Sequence, residues 1–145
     1  MACIYQKWRN GRTNSSREYL GNALVFSKTT GFGGNGGPNG LESVSDGHCV
    51  TDGPFADLQL PFYDGDDHVH CLTRGFKFNE KMLHGCIPGE GVRPSAIEKI
   101  LSLPDFESFF LALENGPHNN IPTGIQGDFS SFTAPNDPIF FLHHR

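Results

Sequence analysis

The chain has 145 residues, a formal net charge of −5 and 37% hydrophobic residues, which suffices for one domain with a modest core. Its 18 glycines and 10 prolines predict a loop-rich fold rather than a helical bundle or a parallel sheet. Because no basic run and no apolar stretch of membrane-spanning length occurs, neither nucleic acid nor a membrane is expected as a partner.

The first third of the chain carries little periodic signal. Residues 1–25 show no clear period and stay unassigned, and we expect residues 1–30 to pack poorly. The opening sequence has no apolar signal-peptide core. Residues 31–40 (GFGGNGGPNG) predict an irregular surface loop, since a phosphate-binding loop would be followed by Lys and then Ser or Thr.

The middle of the chain predicts short extended pieces and turns. Residues 58–63 and 69–78 are the candidate strands. Four cysteines stand at positions 3, 49, 71 and 86, and their spacings fit no zinc ribbon or CxxC redox motif. The even count permits a Cys49–Cys71 disulfide, which would leave secretion open, whereas Cys86 is equally compatible with a free thiol.

Helical patterns begin after residue 93. Pro94 suits a first helical turn, and the apolar residues that follow recur at helical spacing. Asp105 is the candidate cap of a second helix, which Asn115-Gly116 ends. A third helix follows Asp137 and Pro138. These elements predict a mainly α, loop-rich fold with little β structure and its helices mostly after residue 93.

The hydrophobic core is expected in the second half of the chain. Most of the 13 phenylalanines lie there, and the second predicted helix carries an apolar stripe. The stripe consists of Phe106, Phe109, Phe110 and Leu113. We therefore expect this stripe to be buried.

Seven histidines make a metal site the main functional candidate, although imidazole suits copper, zinc, iron and nickel alike. His118 follows a Gly-Pro break, and His143 and His144 end the last predicted helix. Because successive helical residues point about 100° apart, only one of this pair is expected to face a given metal. Phe140 and Phe141 lie near one turn back and are expected to wall the site.

The remaining histidines are weaker candidates. His68 and His70 (DDHVH) would share one face of a strand, but their acidic neighbours favour an exposed turn over a metal site. His48 and His84 lie in glycine-rich segments and are expected to be solvated.

Residues 111–144 (LALENGPHNNIPTGIQGDFSSFTAPNDPIFFLHH) resemble the second copper-binding half of fungal tyrosinases, most specifically in NDPIFFLHH. Upstream, GFGGNG, CVTDGPF and HCLTRGF resemble the connecting region of those enzymes. The resemblance covers residues 26–145 and implies a partial tyrosinase-like helical copper-binding domain. Members of this type-3 copper family hold two copper ions, each on three histidines. With dioxygen they hydroxylate monophenols and oxidise o-diphenols to o-quinones.

By resemblance, His118 and His144 are metal ligands of one copper, and the substrate is a phenolic small molecule. Two ring nitrogens that share one metal should lie about 3–4 Å apart. The resemblance also makes Phe140 a packing aromatic and Asp137 a helix-capping acid. Where the family has a further histidine, four residues after His118, this chain has Pro122, which offers neither a ligand atom nor a backbone N–H.

The sequence differs from the family pattern in two further respects. No histidine pair precedes residue 31, so the first copper site is expected to be missing, and the family's last helix would continue beyond Arg145. The sequence therefore predicts a copper-dependent oxidoreductase domain that is incomplete, inactive alone and able to hold at most one copper, weakly. A divergent or truncated remnant that binds one copper weakly or none is one alternative. A hemocyanin-like oxygen carrier is the other, and the fungal-type strings disfavour it.

Overall fold

The computed structural model describes residues 24–36, 41, 43–76, 92 and 94–145. Short strands come first: β1 (His48–Cys49), β2 (Gln59–Tyr63), β3 (Asp66–Cys71) and β4 (Thr73–Arg74). The helices follow: α1 (Pro94–Leu101), α2 (Phe106–Leu113), α3 (Asn119–Ile125) and α4 (Ile139–His143). Short 3-10 turns occupy Leu24–Phe26, Gly127–Ser130 and Ala134–Asn136. The described part is rich in helices and loops, as predicted, and none of its helices is long enough to cross a bilayer.

Two separate two-stranded antiparallel sheets make up the β structure. β2 and β3 form a hairpin around Asp64-Gly65, whose positive φ angles of 49° and 95° suit a tight two-residue turn. The register shifts between Leu60 and Phe62, at Pro61, which has no N–H to donate to the ladder. β1 pairs with β4, so these strands bring residues 48–49 against residues 73–74.

The Cys49–Cys71 disulfide predicted as one option from the sequence is present, with the two Cα atoms 5.5 Å apart. It links β1 to the end of β3. Beside it lies a small buried cluster of Val50, Leu60 and Leu72. Cys3 and Cys86 lie outside the described residues.

The main core lies mostly in the second half of the chain, as the sequence predicted. Its buried residues are Phe76, Ile125, Phe129 and Ile139, joined by Phe26 from the first half. In contrast, Phe106 is 78% exposed and Phe110 48% exposed, and neither α1 nor α2 contains a buried residue. The prediction of a buried stripe was wrong. Amphipathic spacing predicts that a segment is helical, but it does not show which surface, if any, packs against the apolar face.

Phe26 also contradicts the expectation that residues up to 30 pack poorly. Its ring meets that of Phe76 edge-on, with centroids 4.8 Å apart. Residues 1–23, which include most of the unassigned segment, lie outside the described residues.

The glycine-rich segment is not a surface loop in its described part, residues 31–36. It wraps the buried guanidinium of Arg74, whose Nη1 donates to the carbonyls of Phe32, Gly33 and Gly34 at 3.1, 2.7 and 3.0 Å. At Gly36 a Cβ would collide with the His48 carbonyl, so this close approach requires glycine. The glycines therefore allow the backbone to pack against β1 and β4.

Asp52 holds the same segment from its other side. Its Oδ1 accepts from the Gly34 N–H at 2.7 Å, and its Oδ2 lies 3.0 Å from Lys28 Nζ. Burial raises the pKa of Asp52, but the hydrogen bond from Gly34 and the interactions with Lys28 outweigh it. The pKa of this carboxyl therefore lies below its usual value of 3.8.

Helices α1 and α2 begin as predicted, and α2 ends at Leu113, whereas the predicted stop at Asn115-Gly116 lies inside a π-helical turn. Asp105 caps α2, accepting from the Ser108 N–H at 2.8 Å, and this hydrogen bond lowers the pKa of the Asp105 carboxyl. Sequence reasoning missed α3, which follows α2 through a π-helical turn, Glu114–His118. The chain bends at Gly116, whose φ and ψ of −107° are not helical, and α3 tolerates Pro122 within its first turns.

Candidate metal centre

Three imidazoles converge where the start of α3 meets the end of α4. His118 is the last residue of the π-helical turn, His143 the last residue of α4, and His144 follows it. One candidate ligand atom from each lies within 4.8 Å of the other two. In the parts of the chain that the structure describes, no other three His, Cys, Asp or Glu residues form such a group.

The two histidines predicted from the resemblance point at each other. The Nε2 atoms of His118 and His144 are 3.1 Å apart, within the predicted spacing for a shared metal. With metal–nitrogen bonds of about 2.0–2.1 Å, this separation gives a nitrogen–metal–nitrogen angle of about 100°. Such an angle suits four-coordinate geometries between square-planar and tetrahedral.

Hydrogen bonds at the opposite ring nitrogens assign the tautomers of this pair. His118 Nδ1 lies 3.0 Å from Oε2 of Glu114, and His144 Nδ1 lies 2.9 Å from the carbonyl oxygen of Phe140. Both partners are acceptors, so each Nδ1 carries the proton and donates it. With both rings neutral, each Nε2 then presents a lone pair to the other, an arrangement that a cation between them would stabilise.

His143 was missed as a member of this group. Successive helical side chains diverge by about 100°, yet the ring centroids of His143 and His144 lie 4.8 Å apart, and the His143 centroid lies 5.2 Å from that of His118. His143 Nε2 donates to the carbonyl of His118 at 3.1 Å.

The protonation of His143 is shifted towards the neutral ring. Its pKa is lowered, first by burial and then by the neighbouring His144 and His118. A neutral imidazole is the form that binds a metal.

Comparisons with known proteins show the family to which the chain belongs. The family profile described as the common central domain of tyrosinase matches residues 6–145. This chain belongs to the tyrosinase family. The tyrosinase-like protein phomQ1 of Diaporthe leptostromiformis is 43% identical over 140 residues, which cover 87% of this chain and 35% of that protein. The tyrosinase ustQ of Aspergillus flavus is 41% identical over 125 residues, covering 86% of this chain and 34% of that protein.

The chain therefore spans about a third of the length of these tyrosinase-family relatives. No solved structure matches it significantly. The profile match includes residues 6–25, for which the sequence patterns suggested no structure. Membership of the tyrosinase family implies copper as the metal in general terms.

The aromatic surroundings of the site are contributed by Phe140 and Phe129. The ring of Phe140 lies 4.1 Å from that of His144, centroid to centroid. Phe129 meets both Phe140 and His143 edge-on, at 6.3 and 5.8 Å. Phe141, expected to wall the site as well, is 64% exposed, because it points away on the next helical position.

Asp137 positions α4 and thereby two of the three imidazoles. Its Oδ1 accepts from the Ile139 N–H at 3.0 Å, as expected of the capping acid in the tyrosinase motif. It also forms a bidentate ion pair that the sequence did not reveal, with Arg74 Nε and Nη2 at 2.7 and 2.9 Å. Both side chains are fully buried, so the start of α4 is tied to β4 and to the glycine-rich segment.

The other histidines are not part of this group. His68 is exposed on β3, as expected, but His70 is buried and its Nε2 lies 2.7 Å from Asp128 Oδ1. The prediction of exposure was wrong for His70 because it sits opposite Leu60 and faces inwards. His48 lies half-buried in β1 rather than in a solvated loop, and His84 lies outside the described residues.

Proposed function

We propose that this chain carries a copper site of a tyrosinase-type oxidoreductase and holds one copper ion on His118 and His144. One observation carries the proposal. The two Nε2 atoms stand 3.1 Å apart while both Nδ1 atoms donate to fixed oxygen acceptors. Ligating histidines usually have this arrangement, since the outer hydrogen bond orients the ring and fixes its tautomer.

The proposed substrates are phenolic small molecules, oxidised with dioxygen to quinones. Support comes from the family and from two relatives whose names describe a tyrosinase and a tyrosinase-like protein. Bound copper supplies the redox chemistry. The chain's own residues supply lone pairs at His118 and His144 and an aromatic wall at Phe140.

We further propose that these 145 residues do not oxidise phenols unaided. Chemistry of this type requires two coppers to share the electrons given to dioxygen. The sequence has no histidine before His48, and the described residues hold one group with three candidate metal ligands. Pro122 also removes an imidazole from the expected position in that group.

Copper titration by calorimetry, combined with an absorbance assay for quinone formation from an o-diphenol, tests both parts. The unaltered chain should bind about one copper and form quinone only at background. Pro122→His should raise the copper affinity, because it adds an imidazole, without raising turnover. The matched control is the double variant His118→Ala with His144→Ala.

Two outcomes would contradict the proposal. Equal copper affinity in the unaltered chain and the double variant would show that His118 and His144 are not the ligands. Quinone formation by the unaltered chain above that of the double variant would show that one copper, or a second site elsewhere, supports turnover.

A further inference from the structure

The three imidazoles form a nearly equilateral triangle. Their ring centroids are 5.2 Å apart for His118 and His143, 5.1 Å for His118 and His144, and 4.8 Å for His143 and His144. A ring bound to a metal has its centroid about 3.2 Å from the ion, from a bond of about 2.0–2.1 Å plus the ring radius. If three such rings bind one ion with nitrogen–metal–nitrogen angles of about 90–109°, their centroids lie about 4.5–5.2 Å apart. The three centroid distances fit one central ion. The candidate nitrogens themselves lie within 4.8 Å of one another, whereas two such bonds span at most about 4.1 Å, so sharing one ion requires the rings to draw together by some tenths of an ångström.

The ring nitrogens of His143 have distinct roles. Nε2 donates to the carbonyl of His118 at 3.1 Å, so the proton sits there and Nδ1 keeps the lone pair. A metal-ligating histidine characteristically donates its other N–H to a backbone carbonyl or a carboxylate. In His118 and His144, Nδ1 donates a hydrogen bond and Nε2 keeps the lone pair. In His143 these roles are reversed, since Nε2 donates and Nδ1 keeps the lone pair.

Pro122 explains why the His118 carbonyl is available. In a regular helix this carbonyl would accept the N–H four residues later, but residue 122 is proline and has none. His143 Nε2 donates to the carbonyl instead. Pro122 therefore has two effects. It supplies no imidazole to the site, and it leaves the His118 carbonyl free to accept the hydrogen bond that orients His143.

We propose that His143 is the third ligand of this centre, so that one copper is held by His118 Nε2, His143 Nδ1 and His144 Nε2. This assignment rests on the proposed function and deepens it. It restores a three-imidazole site in a chain where Pro122 cannot supply the third ring.

Pulsed electron paramagnetic resonance on the Cu(II)-loaded chain, which counts coordinated imidazoles, is the direct test. The unaltered chain should show three imidazoles. His143→Gln keeps an N–H donor for the His118 carbonyl but removes the ring, so it should show two. Its Kd for Cu(II), from competition titration, should rise by at least about tenfold. His68→Gln makes the same change at an exposed histidine outside the cluster and should leave both readouts unchanged.

The outcomes separate this inference from the proposed function. Two imidazoles in the unaltered chain would overturn the assignment of His143 even if the variant failed to fold. A weaker Kd in His143→Gln with an unchanged imidazole count would overturn it too, leaving His143 as a positioning residue for His118. If His118→Gln and His144→Gln leave the Kd for Cu(II) unchanged, the proposed function fails and this inference fails with it.

Discussion

Asp137→Asn is expected to be strongly destabilising, because it leaves the guanidinium of Arg74 buried without a counter-charge. Both side chains are fully buried, and Asp137 receives two of the hydrogen bonds that Arg74 donates. Breaking a buried ion pair by removing one charge costs about 3–5 kcal/mol. A chain of this size is expected to have a free energy of unfolding of about 7–20 kcal/mol, so the loss is a large fraction.

Urea unfolding followed by far-ultraviolet circular dichroism measures this effect. The midpoint should fall at unchanged m, and the melting temperature should fall by about 6–20 °C. The control is Lys28→Ala, which removes a surface ion pair with Asp52 in which Lys28 is 75% exposed. That change should cost less than about 1 kcal/mol. Arg74→Met should cost at least as much as Asp137→Asn, because carbonyls of the glycine-rich segment then lose their donor.

The reasoning would be refuted if Asp137→Asn lowered the free energy of unfolding no more than Lys28→Ala does. Such a result would mean that Arg74 is accommodated by its backbone acceptors alone. The ion pair would then position α4 without contributing to stability.

Three further predictions concern the disulfide, the core and the acid response. Cys49→Ser with Cys71→Ser should lower the free energy of unfolding by about 3 kcal/mol, since the bridge closes a loop across a separation of 22 residues; an unchanged urea midpoint would contradict this. Phe106→Ser should change the free energy of unfolding by less than about 0.5 kcal/mol, whereas Phe129→Ala should cost about 3–5 kcal/mol; the reverse order would place the core on α2 after all. Asp52 has a lower pKa in the folded than in the unfolded chain, so it stabilises the fold above about pH 4 and this contribution is lost as the pH falls through the folded pKa. In Asp52→Asn the free energy of unfolding should therefore fall less steeply below about pH 4 than in the unaltered chain. Identical acid-unfolding curves for the two proteins would contradict this prediction.

Local patterns predicted the helices whose signals lie within a few residues. The spacing of apolar residues after Pro94 located α1, and the Asp105 cap located the start of α2. Both signals depend on backbone geometry and hydrogen bonds inside one helix. The α3 helix was missed because proline usually interrupts a helix, but Pro122 lies in the first turn of α3, where a missing backbone N–H is tolerated.

The resemblance predicted two of the three histidines that cluster in the structure and left out His143. The string NDPIFFLHH pointed to His144 and HNNIP to His118, whose ring nitrogens do converge. His143 was set aside because successive helical side chains point in different directions. Its proximity to His118 is a contact between segments 25 residues apart, which no local periodicity encodes.

Sequence patterns were enough to indicate the family, the starts of two helices, the option of a Cys49–Cys71 bridge and two converging histidines. The burial of Phe26, the exposure of Phe106 and the pairing of Arg74 with Asp137 across 63 positions became visible from the folded chain alone. Helix periodicity and caps are local, whereas burial and ion pairing depend on which distant surfaces meet. For a chain with a small core and many loops, those distant contacts decide the arrangement of the site.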